Sequence, residues 1–491
     1  MTYTLGIDVG SSSVKVSLLN INNGNCVASA YYPSEEMAII AVKSGWAEQE
    51  PEEWWKNAKL ALATVLKEAD VPKESIKGIG ISYQMHGLVP LDKDGNVVRP
   101  SIIWADSRAV EIGNKAFEEL GSDYCLNSCL NSPGNFTASK LKWVKENEPE
   151  KFEKIHKIML PGDYIAYRLS GEMQTTISGL TEGIMWDFKR NELADKLLDY
   201  YGFSSDLIPA IVDTFSEQAK VSTGIADELG LAAGTPISFR AGDQPNNAFS
   251  LNVLEPGEVA ANAGTSGVVY GIGEKPLPDK QSRVNTFAHV NHTNDKNRLG
   301  VLLCINGTGI LNSWLRRNVA SGMSYPEMND VAMKAPVGAD GLLIYPFGNG
   351  AERVLANANP GAEIKGLNFN IHNQSHLLRA AQEGIVYSFR YGVDIMREMG
   401  IQAKVMRAGK TNMFLSPLFR QTMSNVIDAT IELYDTDGAL GAARGAAIGA
   451  GLYSSPSDAF SQLKCLEQIT PDKDQSKVLE IYEEWNNKLK F

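Results

Sequence analysis

Two stretches of this chain share one design, Gly6-Ile-Asp-Val-Gly-Ser-Ser-Ser-Val-Lys-Val and, about half a chain later, Ala263-Gly-Thr-Ser-Gly-Val-Val-Tyr. In each, an apolar run enters a turn of glycine and small hydroxyl residues, and a second strand-like run follows at once. Such turns suit phosphate, because glycine lets the backbone approach an anion and small side chains leave N–H groups free to point at its oxygens. A single copy is more often an ordinary hairpin turn. Two copies imply two related domains whose hairpins face each other across a nucleotide. Asp8, ending the first strand, adds a carboxylate placed to hold a magnesium ion against the phosphate.

Length agrees with duplication: 491 residues exceed one ordinary core, and two domains of roughly 200–250 residues are expected. A formal net charge of -12 argues against nucleic acid, whose binders display a basic face, but not against a local nucleotide site. Cysteines 26, 125, 129, 304 and 465 form neither a paired framework nor a CxxC element, which points to a reducing, cytoplasmic setting. The N-terminus enters a strand directly, without the basic and apolar segments of a signal peptide. No long apolar span suggests a membrane helix.

Residues 3–9, 13–20 and 26–31 read as a sheet meander, with Asn22-Asn-Gly-Asn as its second turn. Pro51 starts a helix with Trp54, Ala58, Ala61, Leu62 and Val65 at helical spacing, and residues 76–82 return as a buried strand. This is an α/β layer fold with ligands expected at strand ends. The strand runs into Tyr83-Gln-Met-His-Gly-Leu, and Trp104-Ala-Asp-Ser-Arg108 follows in the next polar segment. His86 and Asp106 would suit a polyol, whose hydroxyls need donors and acceptors. The competing readings are a structural histidine and a surface Asp106–Arg108 pair. Thr175-Thr-Ile-Ser-Gly-Leu-Thr-Glu-Gly183 reads as a solvated connection or, less readily, the border of a sugar pocket.

An apolar strand then enters Gly242-Asp-Gln-Pro-Asn-Asn247, with a helix expected from about residue 246. Asp243 reads equally as a helix cap and as a carboxylate that takes a hydroxyl proton during phosphoryl transfer. In the second half, residues 300–306 form a strand, Gly307-Thr-Gly leads into a helix, and residues 375–399 form a long helix. Ala403-Lys-Val-Met-Arg-Ala-Gly-Lys-Thr411 is no Walker loop, since Lys404 stands where that motif needs glycine. Residues 438–451 form a helix of small residues suited to close packing. A final amphipathic helix, residues 476–490, is expected to pack back on the first domain.

Taken in order, Gly6-Ile-Asp-Val-Gly-Ser-Ser, Gln84-Met-His-Gly, Trp104-Ala-Asp-Ser-Arg, Lys140-Leu-Lys-Trp-Val, Gly242-Asp243, Gly264-Thr-Ser-Gly, Gly350-Ala-Glu-Arg and Glu383-Gly384 resemble the FGGY carbohydrate kinases of the actin and heat-shock chaperone superfamily. The resemblance covers nearly the whole chain and is strongest to the xylulokinase branch. It implies two ribonuclease-H-like, actin-like ATPase domains, residues 1–246 and 247–491, with a catalytic cleft between them. The implied reaction is phosphorylation of the terminal hydroxyl of a small ketose, D-xylulose foremost, from ATP and Mg2+. Asp243 would be the base and Asp8 would hold magnesium through water. Met85, His86, Asp106, Asp243 and Gln244 would contact the sugar. Gly10, Ser11, Ser12, Lys15, Gly264, Thr265, Ser266, Gly307, Gly409 and Asn412 would contact the nucleotide.

The chain departs from the xylulokinase pattern twice. Gln244-Pro replaces Asn-Ala after the base, as in glycerol kinases, and Gly409 is separated from Ser416-Pro-Leu by an enlarged adenosine turn. Ribulose, a heptulose, gluconate or glycerol therefore stay open as substrates, as does a non-catalytic nucleotide or sugar switch. A homodimer is compatible with the resemblance. Neither nucleic acid nor a membrane is expected as a partner.

Overall fold

The computed structural model describes residues 1–490. Its first domain is built on a six-stranded sheet of β1 (Tyr3–Val9), β2 (Val14–Asn20), β3 (Cys26–Tyr32), β4 (Ile76–Tyr83), β5 (Phe215–Lys220) and β6 (Pro236–Gly242). The strand order is β5-β6-β4-β1-β2-β3. The β1–β2 pair is antiparallel in the register Asp8 to Lys15, and β1 runs parallel to β4 with Asp8 beside Ser82. Parallel strands need crossovers, and α1 (Pro51–Ala69) supplies one, burying Trp54, Ala58, Ala61, Leu62 and Val65.

The second domain repeats the plan with β7 (Val259–Ala263), β8 (Gly267–Gly273), β9 (Asn285–Ala288), β10 (Leu299–Ile305), β11 (Val405–Gly409), β12 (Thr430–Tyr434) and β13 (Cys465–Ile469). Its order is β9-β10-β8-β7-β11-β12-β13. The sub-orders β3-β2-β1-β4-β6 and β10-β8-β7-β11-β12 correspond strand for strand. In both, the first strand is antiparallel to the second and parallel to the fourth. The duplication expected from the two glycine hairpins is thus a duplication of whole sheets.

Three elements depart from expectation. The segment 175–183 is not a solvated connection. It holds a short helix, α2 (Ile177–Glu182), whose Ser178 hydroxyl donates to the Ala288 carbonyl at 3.0 Å, while Ala288 N–H donates to the Thr181 hydroxyl at 3.0 Å. The small hydroxyls that looked loop-like satisfy buried backbone of the other domain. The last helix, α5 (Ser476–Lys488), does not reach the first domain. Trp485 stacks on Tyr345 at 4.9 Å and donates from Nε1 to the Ile344 carbonyl at 3.0 Å, which fixes the helix to the second core.

The helix that crosses is the small-residue one, α4 (Gly438–Gly449). It lies on β1, β4 and β6, where Thr4 and Ser238 donate to the Ala443 and Ala446 carbonyls, each at 2.8 Å. Between α2 and α4 in sequence, α3 (Asp243–Ser250) spans residues 246 and 247, so the expected domain division falls inside a helix.

Candidate active site

Asp243 is the first residue of α3, at the carboxyl end of β6, and Gly242 explains how the chain arrives there. A Cβ on Gly242 would lie 2.6 Å from Met85 Cγ and 2.8 Å from Glu182 Oε2. Only glycine lets Met85 pack against the strand end that carries Asp243. Burial, and then the charge of Asp8, push the Asp243 carboxyl up to about 7. A helix start normally favours the ionised form, so desolvation wins here.

The same helix is tied to the start of α4. Asn246 donates to the Gly438 carbonyl at 2.8 Å and the Ser250 hydroxyl to the Asp437 carbonyl at 2.9 Å. Asp437 caps α4 by accepting from Leu440 N–H at 2.9 Å, and its Oδ2 pairs with Lys15 at 2.6 Å. Lys15, expected at the nucleotide, is thus committed to Asp437. A Cβ on Gly438 would lie 2.4 Å from Asp8 Oδ2, so this glycine leaves room for the strand-end carboxylate. Burial raises the Asp8 carboxyl, the Ser82 hydroxyl opposes and Asp437 adds to the rise.

Asp8, Asp243 and Asp437 therefore act on one another with one lysine among them. Their excess negative charge fits a divalent cation carried in on phosphates. Among the described residues no group of three or more His, Cys, Asp or Glu side chains could hold a metal by itself. The hairpin turn is closed by Gly10 N–H on the Ser13 carbonyl at 3.0 Å, and Gln49 holds the Ser11 carbonyl at 2.7 Å, leaving Ser12 exposed.

On the sugar side, His86 has φ 63°, a left-handed conformation that costs a non-glycine residue about 1–2 kcal/mol. Two contacts hold it there. The ring Nδ1 lies 2.9 Å from the Glu182 carbonyl, which can only accept, so Nδ1 carries the proton and Nε2 remains an acceptor. The His86 carbonyl accepts from Lys140 Nζ at 2.9 Å, and the same Nζ donates to Ile103 at 2.9 Å. Burial drives His86 down to about 3, so the ring is neutral across the working range of pH. Lys140 is fully buried, and burial lowers it to about 7.

Asp106 is buried, with both oxygens engaged: Arg108 holds them in a fork, Nη2 at 2.7 Å from Oδ2, and Ala47 N–H donates to Oδ2 at 2.6 Å. The Asp106–Arg108 pairing is real but is not on the surface.

On the nucleotide side, a cavity of about 800 Å³ is lined by Gly264, Thr265, Asn312, Arg317, Asn329 and Asn412, among others. Gly309 and Ile310 N–H groups, opening the next helix, clamp the Gly264 and Thr265 carbonyls at 3.0 Å each, and Thr265 and Ser266 stay exposed. Gly307 does not offer its N–H to a phosphate; it donates to Glu352 at 3.1 Å, and a Cβ there would lie 1.7 Å from the Pro346 carbonyl. A smaller cavity of about 230 Å³ brings Gln244 and Asn247 together with Gly409, Asn412, Asp437 and Gly438. Asn412 lines both spaces, so they lie side by side along the second-domain sheet.

Residues 3–250 match the FGGY family of carbohydrate kinases, N-terminal domain, and residues 259–452 match the C-terminal domain of that family. The chain belongs to this family. It is similar to the xylulose kinase of Bacillus subtilis (strain 168), 30% identical over 467 residues that cover 94% of this chain and 91% of that protein. Among solved structures it resembles a ligand-bound xylulose kinase from Lactobacillus acidophilus, with a TM-score of 0.90, 24% identity and coverage of 99% and 97%. A gluconate kinase from the same organism has a TM-score of 0.89, 24% identity and the same coverage. These likenesses to solved structures speak to fold.

Sequence reasoning missed three residues of this kinase's site. Asp437 was legible as a helix cap ahead of Gly438, but not as the partner of Lys15. Glu182 is 1% exposed, with neither carboxylate oxygen hydrogen-bonded, and nothing in its polar segment announces burial. Lys140 stood out only as the first residue of the Lys140-Leu-Lys-Trp-Val motif, with no role attached, although its ammonium links the Met85-His86 loop to the Ile103 loop. Lys140→Met is expected to raise the KM for the sugar at least tenfold, as loss of a charge-assisted bond of about 1.5–3 kcal/mol allows, with little change in the KM for ATP. Steady-state kinetics in both substrates check this.

Proposed function

We propose that this carbohydrate kinase transfers the γ-phosphoryl group of ATP to the terminal hydroxyl of D-xylulose, with Asp243 as general base. The observation that carries the reading is the place of Asp243. It lies at the end of β6, between the Asp8 hairpin and the Met85-His86 loop, with a carboxyl held near neutrality. A base of that strength is about half ionised at pH 7 and can take the hydroxyl proton as the oxygen attacks phosphorus. His86 Nε2 accepts a sugar hydroxyl and Gln244, beside Asp243, offers an amide to another. The turns at Gly10 and Gly264 bring backbone N–H groups and hydroxyls to the triphosphate from both sheets. Magnesium, when bound, neutralises phosphate charge, and Asp8 is the carboxylate placed to hold it through water.

Similarity to a protein named xylulose kinase supports the ketose. Gln244 favours a second reading, in which the chemistry is the same and the substrate is glycerol or another polyol. ADP release by the purified enzyme with ATP and magnesium, compared across D-xylulose, ribulose, gluconate and glycerol, decides between them. D-xylulose is expected to give the highest kcat/KM. Preference for another compound would replace the substrate and keep the mechanism, and no stimulation by any would refute the kinase reaction for these substrates.

A further inference from the structure

Arg353 is a cation without an anion. It belongs to the Gly350-Ala-Glu-Arg segment of the second domain, and its Nε donates to the Ser282 carbonyl at 3.0 Å. Among the described residues neither Nη group is hydrogen-bonded. The carboxylates around it are already committed: Glu352 accepts from Asn306 and Gly307 N–H at 2.9 and 3.1 Å, and Asp279 pairs with Arg283 at 2.8 Å. The side chain is half-buried, and burial, against the pull of Cys304 and Asp279, brings the guanidinium down to about 10.

Its surroundings say what it faces. The guanidinium carbon lies 5.8 Å from the centroid of Phe136, a first-domain ring. Phe136 in turn meets the His86 ring edge-on at 4.8 Å. Phe287, on β9 of the second domain, closes the group at 5.5 Å from His86 and 6.0 Å from Phe136. Two phenyl rings and one guanidinium, drawn from both domains, thus gather beside the imidazole assigned to the sugar. In this group His86 Nε2 is an acceptor without a donor and Arg353 has donors without acceptors. Neighbouring hydroxyls of a polyol, each able to donate and accept, satisfy both.

We propose that Arg353 is a sugar-binding residue supplied by the second domain, its free Nη groups donating to hydroxyl oxygens of the substrate that His86 holds from the first. The assignment rests on the sugar-kinase reading. It also explains how substrate could favour closure of the cleft, because a compound gripped from both domains binds the closed form better than the open one.

The test uses the full-length enzyme, its Arg353→Met and Arg353→Lys variants, and whichever sugar or polyol the wild type phosphorylates best. Arg353→Met is expected to raise the KM for that compound at least tenfold while the KM for ATP stays within about twofold, the signature of one lost hydrogen-bonding contact. Arg353→Lys keeps charge and stem but not the fork, and is expected to fall between. Small-angle scattering is expected to show compaction when the compound is added to wild type, and less of it with Arg353→Met. A sugar KM unchanged in both variants overturns the assignment while leaving the kinase reading intact, as does an equal rise in both KM values. Should Arg353→Met fail to fold, an unchanged sugar KM in Arg353→Lys overturns it. Wild-type enzyme that phosphorylates none of the compounds overturns both readings together.

Discussion

Asp243→Asn is expected to lower kcat by about 10²–10⁴-fold, the usual worth of a positioned general base, and to leave ATP affinity nearly unchanged. The amide keeps the shape at the Gly242 turn, so the loss reports the proton acceptor and not the packing of Met85 or Glu182. In the wild type the base works only when ionised. With its carboxyl near 7, activity should fall about tenfold per pH unit below that value and level off above it. A stability consequence runs the other way. The folded protein holds this proton up to about 7, whereas an unfolded chain releases it near the ordinary 3.8. Between those values the unfolded chain loses the proton that the fold retains, so stability falls progressively as pH rises from 3.8 to about 7. The asparagine variant has no charge to desolvate, and should melt above the wild type at about pH 8, with the gap closing toward pH 4. Thermal melts across this range, run beside the kinetics, separate a removed base from a damaged fold. A variant retaining kcat within tenfold of wild type would show that another group takes the proton.

How much of this was readable in the chain depended on how local each signal is. Glycines that let a backbone approach an anion, and carboxylates that end apolar strands, announce themselves within ten residues, so the two hairpins, Asp8 and Asp243 were legible. Lys15 was assigned to the nucleotide because the residue that claims it, Asp437, lies 422 positions away. The segment 175–183 read as a loop because Ser and Thr compete with regular structure. Its hydroxyls instead serve a helix start and the backbone of β9. Amphipathic spacing showed that residues 476–488 dock on something, but periodicity names no partner. Only tertiary contact sends α5 to its own domain and α4 to the other.

That exchange gives the second large effect. Gly80→Ala is expected to destabilise the enzyme by about 1–3 kcal/mol or more, the range for overpacking, and to reduce kcat as well. The added Cβ would lie 2.0 Å from the Ala442 carbonyl oxygen of α4, and at Gly6, on the neighbouring strand, 1.8 Å from that of Ala439. A main-chain oxygen cannot rotate aside, so the helix must lift from the sheet. Its first residues carry the Asp437–Lys15 pair, leave room for Asp8 at Gly438 and receive Asn246 and Ser250 from the helix of the base. Lifting α4 therefore disturbs both strand-end carboxylates although the substitution touches neither. Gly224→Ala supplies the opposite sign: that glycine is exposed in the Thr223–Leu229 helix with nothing within 4 Å of its Cβ position, and alanine there should stabilise by up to about 1 kcal/mol. Melting curves and kcat for the two variants form one comparison. A Gly80→Ala enzyme that melts and turns over like wild type would mean that the seam between α4 and the first sheet does not hold the two strand-end carboxylates in place.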